Sequence, residues 1–401
     1  MNESVTEVLY LSCVSSERVI DQLKTESGMN PGYAGQKFDR LIIKGIINNS
    51  VSCSTLSSIP ISIKMSKKII WRLKDESENG IYYRYIPFLN LPIIRNICLF
   101  LYTFFYISIW SRKNPKNKCV IEDVLNYSIC YGSLFASKLT GIKRIGVVTD
   151  MPGLMVNASI NTSTNRLKNF IRNIGILSVR SYDGYVFLTK QMNSVINKKN
   201  KPYIIMEGLV DSKIVPLSAT IAKKRQIVYA GGLHERYGLK TLVDSFRKIN
   251  DPNLKLIIFG SGPYAGELEK VMLIDNRIEY KGVVPNDIVV RTEEESLLLI
   301  NPRPTHEQFT QFSFPSKNME YIASGTPLLT TVLPGMPEEY YDHVFLLHSE
   351  TVEGFVQVIE DVLKKSNSEL SSFGQKAQRW ILNNKNNNLQ SKRILLLISQ
   401  V

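Results

Sequence analysis

The stretch NPRPTHEQFTQFSFPSKNMEYIASG, residues 301–325, decides the fold. Pro315 suits the first turn of a helix and Gly325 its exit, which predicts a helix from about residue 315 to residue 324. Lys317, Glu320 and Ser324 then share one face by helical spacing, while Met319, Ile322 and Ala323 form the buried side. The backbone N–H groups of residues 313–317, Ser316 among them, lie at the positive end of the helix dipole. A phosphate is held there, and Lys317 adds a full charge. Glu320, one turn in, is placed to accept hydrogen bonds from ribose hydroxyls. A plain Lys317–Glu320 surface pair is the alternative for the same two residues.

Outward from this helix the pattern is strand, glycine turn, helix. RQIVYAGGL (225–233) and LKLIIFGSGP (254–263) read as buried strands ending in glycine loops, each followed by a helical segment, GLKTLVDSFRKI and GELEKVML. RIEYKGVV, SLLLINPRP and TPLLTTVL add strands, and the tail SKRILLLISQV reads as a helix. In the first half, a strand at residues 8–13 leads to the glycine-rich loop GMNPGYAGQKF, with Gly28, Gly32 and Gly35. Apolar runs at residues 39–47, 119–121, 144–148 and 184–188 read as further strands. The alternation predicts an α/β protein: two doubly wound parallel sheets joined near residues 211–224.

The chain has 401 residues, 44% hydrophobic and 21% charged, which excludes disordered, collagen-like and disulfide-scaffold classes. Its net charge of +13 is unevenly placed. Residues 1–215 hold 28 Lys and Arg against 15 Asp and Glu, and residues 216–401 hold 21 of each. A basic first half suits nucleic acid, an anionic membrane surface or an anionic substrate. The five cysteines, Cys13, Cys53, Cys98, Cys119 and Cys130, have no C-x-x-C spacing and read as reduced thiols of a cytoplasmic protein. The first residues carry Glu3 and Glu7 and lack the basic start of a secretory signal. NICLFLYTFFYISIW (96–110) is too short to span a bilayer. It is either a buried helix of the first domain or a helix dipping into one leaflet, anchored by Trp110 and the following basic residues. NRLKNFIRNIGILSVRS (165–181) is a second amphipathic candidate.

SFPSKNMEYIASGTPLL, with YAGGL…YGLKTLVDSF, LIIFGSGP, YKGVV and LLINPR upstream in the same order, resembles the C-terminal donor-binding domain of the family 4 glycosyltransferases. The resemblance spans roughly residues 226–337. It implies the GT-B architecture, two Rossmann-like domains facing across a cleft. Residues 1–215 are then the acceptor- and membrane-facing domain, 216–384 the nucleotide-sugar domain, and 385–401 a helix packing back toward the first. The glycine loop, VVTDMP (147–152) and YDGYVFLTKQM (182–192) look most like the bacterial enzymes that build surface polysaccharide on a lipid carrier.

The family's E-x7-E signature places its second glutamate on Glu320 and its first on Phe312. Its G-R-L…K-G element falls on Gly231, Gly232, Leu233, Tyr237 and Gly238, so both usual diphosphate cations are absent there. Arg236, Lys240, Arg303 and Lys317 are the available replacements. Arg303 follows the strand LLIN and Lys317 sits at the helix start, which makes these two the chosen pair. Gly260 and Gly262 line the donor cleft by the resemblance, and Gly282–Val283 meets the nucleotide base through main-chain groups. Alone, that glycine loop equally suits a dinucleotide. No D-x-D occurs and the four histidines lack metal-ligand spacing, so the reading calls for no metal and no cofactor. His306 and Glu307 suit acid/base groups by type but read as loop polars near a cleft mouth. Asp150, after the strand RIGVVT, orients the acceptor or takes its proton, or else caps a helix. Gly32, Tyr33, Gly35 and Lys37 are assigned to the acceptor.

These readings converge on a retaining glycosyltransferase, with retention implied by the family. It moves a sugar from a nucleotide-diphosphate donor to a polyprenyl-diphosphate-linked saccharide, in capsular or exopolysaccharide synthesis. It works peripherally on the inner face of the cell membrane and binds no nucleic acid. A catalytically inactive membrane-surface protein on the same scaffold is a second class, motivated by Phe312, and an NAD(P)-dependent oxidoreductase is a third.

Overall fold

Runs such as VLYL, IVYA and SLLLIN are apolar without alternation, and each becomes a parallel strand covered on both faces. The structure, a computed structural model, describes residues 5–27, 33–61, 63–112, 117–151, 175–216 and 221–401. The chain divides into two compact units, Met1–Leu209 with Asn387–Val401, and Val210–Asn386.

The first unit has a main sheet of β1 (Glu7–Ser12), β2 (Ser52–Ser57), β4 (Glu76–Glu78), β5 (Ile81–Tyr85), β7 (Lys118–Asp123), β8 (Lys143–Val148), β9 (Gly184–Phe187) and β10 (Tyr203–Ile205). The strand order is β10-β9-β8-β7-β1-β2-β5-β4, parallel except for the β4–β5 hairpin. A separate antiparallel pair joins β3 (Ile70–Trp71) to β6 (Phe88–Leu89). Helices α1 (Glu17–Ser27), α2 (Tyr33–Asn48), α3 (Ile94–Trp110), α4 (Tyr127–Thr140) and α5 (Lys190–Ile196) connect the strands.

The second unit holds β11 (Lys224–Ala230), β12 (Lys255–Phe259), β13 (Ile278–Tyr280), β14 (Ser296–Asn301), β15 (Leu328–Thr331) and β16 (Phe345–Leu347). All are parallel, in the order β13-β12-β11-β14-β15-β16. Counted from β11 this is 3-2-1-4-5-6, the doubly wound order of nucleotide-binding folds. Helices α6 (Leu239–Lys248), α7 (Ala265–Met272), α8 (Asn286–Glu294), α9 (Ser316–Ala323), α10 (Val352–Leu363) and α11 (Asn367–Asn384) complete it.

The chain leaves the first unit after Leu209 and returns at Asn387 as helix α12 (Asn387–Ile398). Beside these crossings the Val210 N–H donates to the Lys385 carbonyl at 3.0 Å. Helix α12 buries Ile394, Leu397 and Ile398 in the same core as the β1 residues Leu9 and Leu11. It lies against α2, where the Ser391 hydroxyl donates to the Ile42 carbonyl at 3.0 Å.

Several expectations are corrected. Residues 39–47 form no strand: they lie in α2, because a short apolar run is read equally by a buried helix, and Leu41, Ile42, Ile43 and Ile46 all face the core. Gly35 and Lys37 are therefore helical rather than in a loop, while Gly28 and Gly32 lie outside the described residues. Most of residues 165–181 also lies outside them. Residues 96–110 are neither wholly core nor wholly exposed: α3 buries Leu99, Thr103 and Ile107 and exposes Ile97, Leu101 and Phe105. NNKNNN (383–388), a run whose polarity reads as a loop, is mostly helical, broken only at Lys385 and Asn386. Among the described residues no helix is long and apolar enough to cross a membrane.

A Cβ at Gly45 would stand 2.2 Å from the Asn387 carbonyl oxygen and 2.3 Å from Ser391 Oγ. The close approach of α2 and α12 depends on that missing atom. Gly45→Ala is expected to destabilise the protein by about 1–3 kcal/mol, as overpacking does. Denaturant unfolding of the two proteins measures it.

Candidate active site

In the second unit the strand order reverses between β11 and β14, and in open α/β sheets the ligand crevice lies at the carboxyl ends of the strands at that point. Gly231 and Gly232 follow β11, Gly260 and Gly262 follow β12, and Arg303 follows β14. The loops here pack backbone on backbone. Gly260 has φ 126°, and a Cβ on it would stand 1.8 Å from the Gly231 carbonyl oxygen. Gly238 has φ 83°, with a Cβ position 2.0 Å from the Pro302 carbonyl oxygen. Only glycine meets both demands. The Tyr321 hydroxyl, buried on α9, donates to the Ala230 carbonyl at 3.1 Å and accepts from the Ala230 N–H at 2.7 Å. That pair of bonds fixes α9 to the end of β11.

The cations sit on an aromatic floor. The Arg303 guanidinium lies 4.7 Å from the Tyr237 ring centre and 5.6 Å from that of Phe309. Arg236 lies 4.4 Å over the same Phe309 ring and donates to Glu307 at 3.4 Å. Among the described residues, Arg236 Nε, Arg303 Nε and Ser313 Oγ are buried with no hydrogen-bond partner. Burial lowers the Arg303 pKa from its ordinary value, an expression of poor hydration. Helix α9 begins after Pro315, and among the described residues no side chain caps its N–H groups. Lys317 Nζ stands 3.1 Å from Glu320 Oε2 and 3.5 Å from Oε1 of Glu293, a fully buried residue of α8. The uncapped helix start, the two guanidiniums and the ammonium are each chemically suited to an anion.

Residues 215–385 match the model of the family described as glycosyl transferases group 1. This segment is similar to the group 1 glycosyl transferases. By that domain the protein is a glycosyltransferase. Solved structures resemble the whole chain at low identity. The apo form of WaaB, a lipopolysaccharide outer core galactosyltransferase, is 14% identical with a TM-score of 0.62, over 98% of this chain and 99% of that one. HepE from Anabaena, in complex with UDP, is 9% identical with a TM-score of 0.63, over 98% and 100%. WaaG, a glycosyltransferase involved in lipopolysaccharide biosynthesis, is 12% identical with a TM-score of 0.60, over 98% and 99%. At such identities the likeness shows the fold, GT-B. A search of curated proteins found no match.

Within the glycosyltransferase domain the structure brings together Gly231, Gly232, Gly260 and Gly262 in adjoining loops, Arg236 with Arg303, and Ser316, Lys317 and Glu320 at the start of α9. Lys240 stands apart: exposed on α6, it pairs with Asp244 four residues on at 2.8 Å. Val283 is 75% exposed, and the preceding Gly282 offers its carbonyl to the Gly260 N–H at 2.8 Å. His306 is exposed, 3.7 Å from Glu350. Sequence reasoning missed Glu293, Tyr321 and the Arg236–Glu307 pair. Glu293 sits in the run TEEES, where no periodicity marks which glutamate turns inward.

In the first unit the central strands β1 and β7 end beside Asp123. The Tyr10 hydroxyl donates to buried Asp39 on α2 at 2.8 Å, and the Leu125 N–H donates to Asp123 at 3.1 Å. Loss of hydration holds both carboxyls above the usual carboxylate range, and for Asp123 the Asp39 and Asp150 charges add to it. Burial pushes Asp150 up to about 6. Gln36 of α2 steadies the adjoining turn, accepting the Ser15 N–H and donating to the Cys13 carbonyl, each at 2.8 Å. Tyr33 and Gly35 start α2, whose inward residues in this turn are Gln36 and Asp39, so exposed Gly35 and Lys37 lie on its other side.

A carboxyl whose folded pKa is raised favours the folded state below its unfolded pKa of about 4, and that contribution is lost as pH rises through the folded value. Asp123→Asn is therefore expected to raise the melting temperature at about pH 8 and to change it little at about pH 4. Thermal unfolding at the two pH values measures the difference, and an equal shift at both would contradict it.

Proposed function

We propose that the protein is a retaining glycosyltransferase. It moves a sugar from a nucleotide-diphosphate donor to a lipid-linked saccharide at the inner face of the cell membrane, in the synthesis of bacterial surface polysaccharide. The donor half rests on one observation: Arg236, Arg303 and Ser313 carry buried hydrogen-bond donors without acceptors, in loops leading to the uncapped start of α9. A diphosphate supplies the missing acceptors. Arg303 and Lys317 stabilise the charge that grows on the leaving diphosphate, and the carboxylates flanking Lys317 hold its ammonium in place. Glu320 accepts from the ribose hydroxyls. Asp150 orients the acceptor hydroxyl or takes its proton, at the carboxyl end of β8. UDP is the first nucleotide to test, since HepE was solved with it. The surface-polysaccharide setting draws support from the lipopolysaccharide enzymes WaaB and WaaG. Retention rests on the family resemblance.

Phe312, standing where the family carries its first glutamate, favours a second reading, a nucleotide-binding scaffold that no longer transfers sugar. Titration calorimetry with nucleoside diphosphates and NAD(P), followed by a turnover assay, separates these readings. Tight NAD(P) binding would point to an oxidoreductase instead. Glu320→Ala is expected to weaken nucleotide binding by about 1.5–3 kcal/mol, the scale of hydrogen bonds to a charged group. Unchanged affinity would remove Glu320 from the site. Arg303→Ala and Lys317→Ala are expected to lower kcat more than they raise KM, and a variant with full turnover would lose its assigned role.

A further inference from the structure

Among its described residues the first unit leaves an apolar helix face exposed. On α3, Ile94, Ile97, Leu101, Phe105 and Ile109 are 40–63% exposed, and their spacing puts them on one arc of the helix. Leu99, Thr103 and Ile107 on the other side are packed into the unit. No charged residue lies between Arg95 and Arg112. The apolar surface continues onto α4, where the Phe135 ring meets that of Phe100 edge-on at 5.9 Å and Leu139 is 68% exposed.

A cationic segment adjoins the start of this helix. β6 runs almost directly into α3, and its Leu89 pairs with Ile70 of β3, both exposed. Around β3 stand Lys64, Lys67, Lys68, Arg72 and Lys74, all exposed, with Ile69 among them. The sequence from 63 to 74 contains no acid. Of the acids that follow, Asp75 is paired with Arg84 at 2.7 Å and Glu76 with Arg18 at 2.8 Å, while Glu78 accepts the Glu17 N–H at 2.8 Å. Between these elements Ile93, 73% exposed, adopts φ 66°, an unfavourable conformation for a β-branched residue.

We propose that the exposed face of α3, with the β3–β6 pair at its start, is the surface on which the protein docks to an anionic phospholipid bilayer, with α3 lying in the plane of the interface. The charge pattern selects this occupant: exposed lysines and an arginine beside an uncharged apolar and aromatic face match a leaflet whose anionic headgroups border hydrocarbon. A helix of 17 residues does not span a bilayer, but it lies flat on one. The purpose of the surface rests on the lipid-linked acceptor proposed above, whereas the surface itself is read from exposure and charge.

The intact protein is sedimented with vesicles of phosphatidylcholine alone and of phosphatidylcholine with phosphatidylglycerol, at low and high salt. Binding at least tenfold stronger to the anionic vesicles, with a salt-resistant remainder, is expected. The combined Lys67→Glu and Lys68→Glu variant should lose the salt-sensitive part, and the combined Leu101→Glu and Phe105→Glu variant the remainder. Should the latter fail to fold, the Phe105→Trp variant serves: its added fluorescence should shift to the blue on anionic vesicles and be quenched by brominated lipid. Absence of vesicle binding, binding unaltered both in the Lys67→Glu and Lys68→Glu variant and in a folded Leu101→Glu and Phe105→Glu variant, or Phe105→Trp fluorescence that brominated lipid leaves unquenched would each overturn the proposal. So would a stable dimer in solution that the face variants dissociate, since a second copy would then cover this face. Nucleotide calorimetry on the same proteins keeps the two readings apart. Vesicle binding without nucleotide binding defeats the glycosyl-transfer reading alone, and the reverse result defeats the docking surface alone.

Discussion

The carboxyl edge of the second sheet depends on main chain meeting main chain. Gly260 against Gly231 and Gly238 against Pro302 leave no room for side chains, so the loops after β11, β12 and β14 are set by backbone sterics. The Tyr321 hydroxyl extends the same constraint to α9 by holding both polar atoms of Ala230. A frame of this kind tolerates wide sequence change elsewhere. The side chains of the candidate site then project from positions they did not have to build. This is consistent with a fold shared at 9–14% identity with the solved structures named above.

The two sheets concentrate opposite chemistry at equivalent places. In the second unit the edge collects hydrogen-bond donors and positive charge, on Arg236, Arg303, Lys317 and the start of α9. In the first unit the edge collects carboxyls, Asp39, Asp123 and Asp150, whose poor hydration favours the protonated form. Donors suit an anion, and weakened carboxyl acidity suits the handling of a proton. Both sets lie at carboxyl ends of parallel strands, where residues can diverge without disturbing the sheet below them.

How much of this was legible depended on whether a feature is local. The second unit was readable because β11 and β12 are short apolar runs closed by glycine turns, and the α9 helix carries its own start and stop residues. Lys317 and Glu320 were readable for the same reason, since helical spacing alone puts them together. Glu293 was not, because its contact with Lys317 joins α8 to α9 through the fold. Residues 39–47 misled because LIIKGII has no period that separates a buried strand from a buried helix, and only the 16-residue length of α2 decides. Asp39 and Asp123 lie 84 positions apart and meet only once β1, β7 and α2 have assembled. The two faces of α3 were equally hidden, because apolar residues occupy both sides of that helix and hydrophobicity does not say which side is covered.

The return of the chain at Asn387 bears on how the protein is made. Ile394, Leu397 and Ile398 are part of the first unit's core, yet they leave the ribosome only after the whole of the second unit. The second unit is closed by residue 386, so all of its core is in hand while the first still lacks a wall. Domains fold as their sequence becomes available during synthesis, usually from the amino end. Here the order is inverted: the unit begun first is completed last, and a nascent chain carries an open core in its first unit throughout the making of the second.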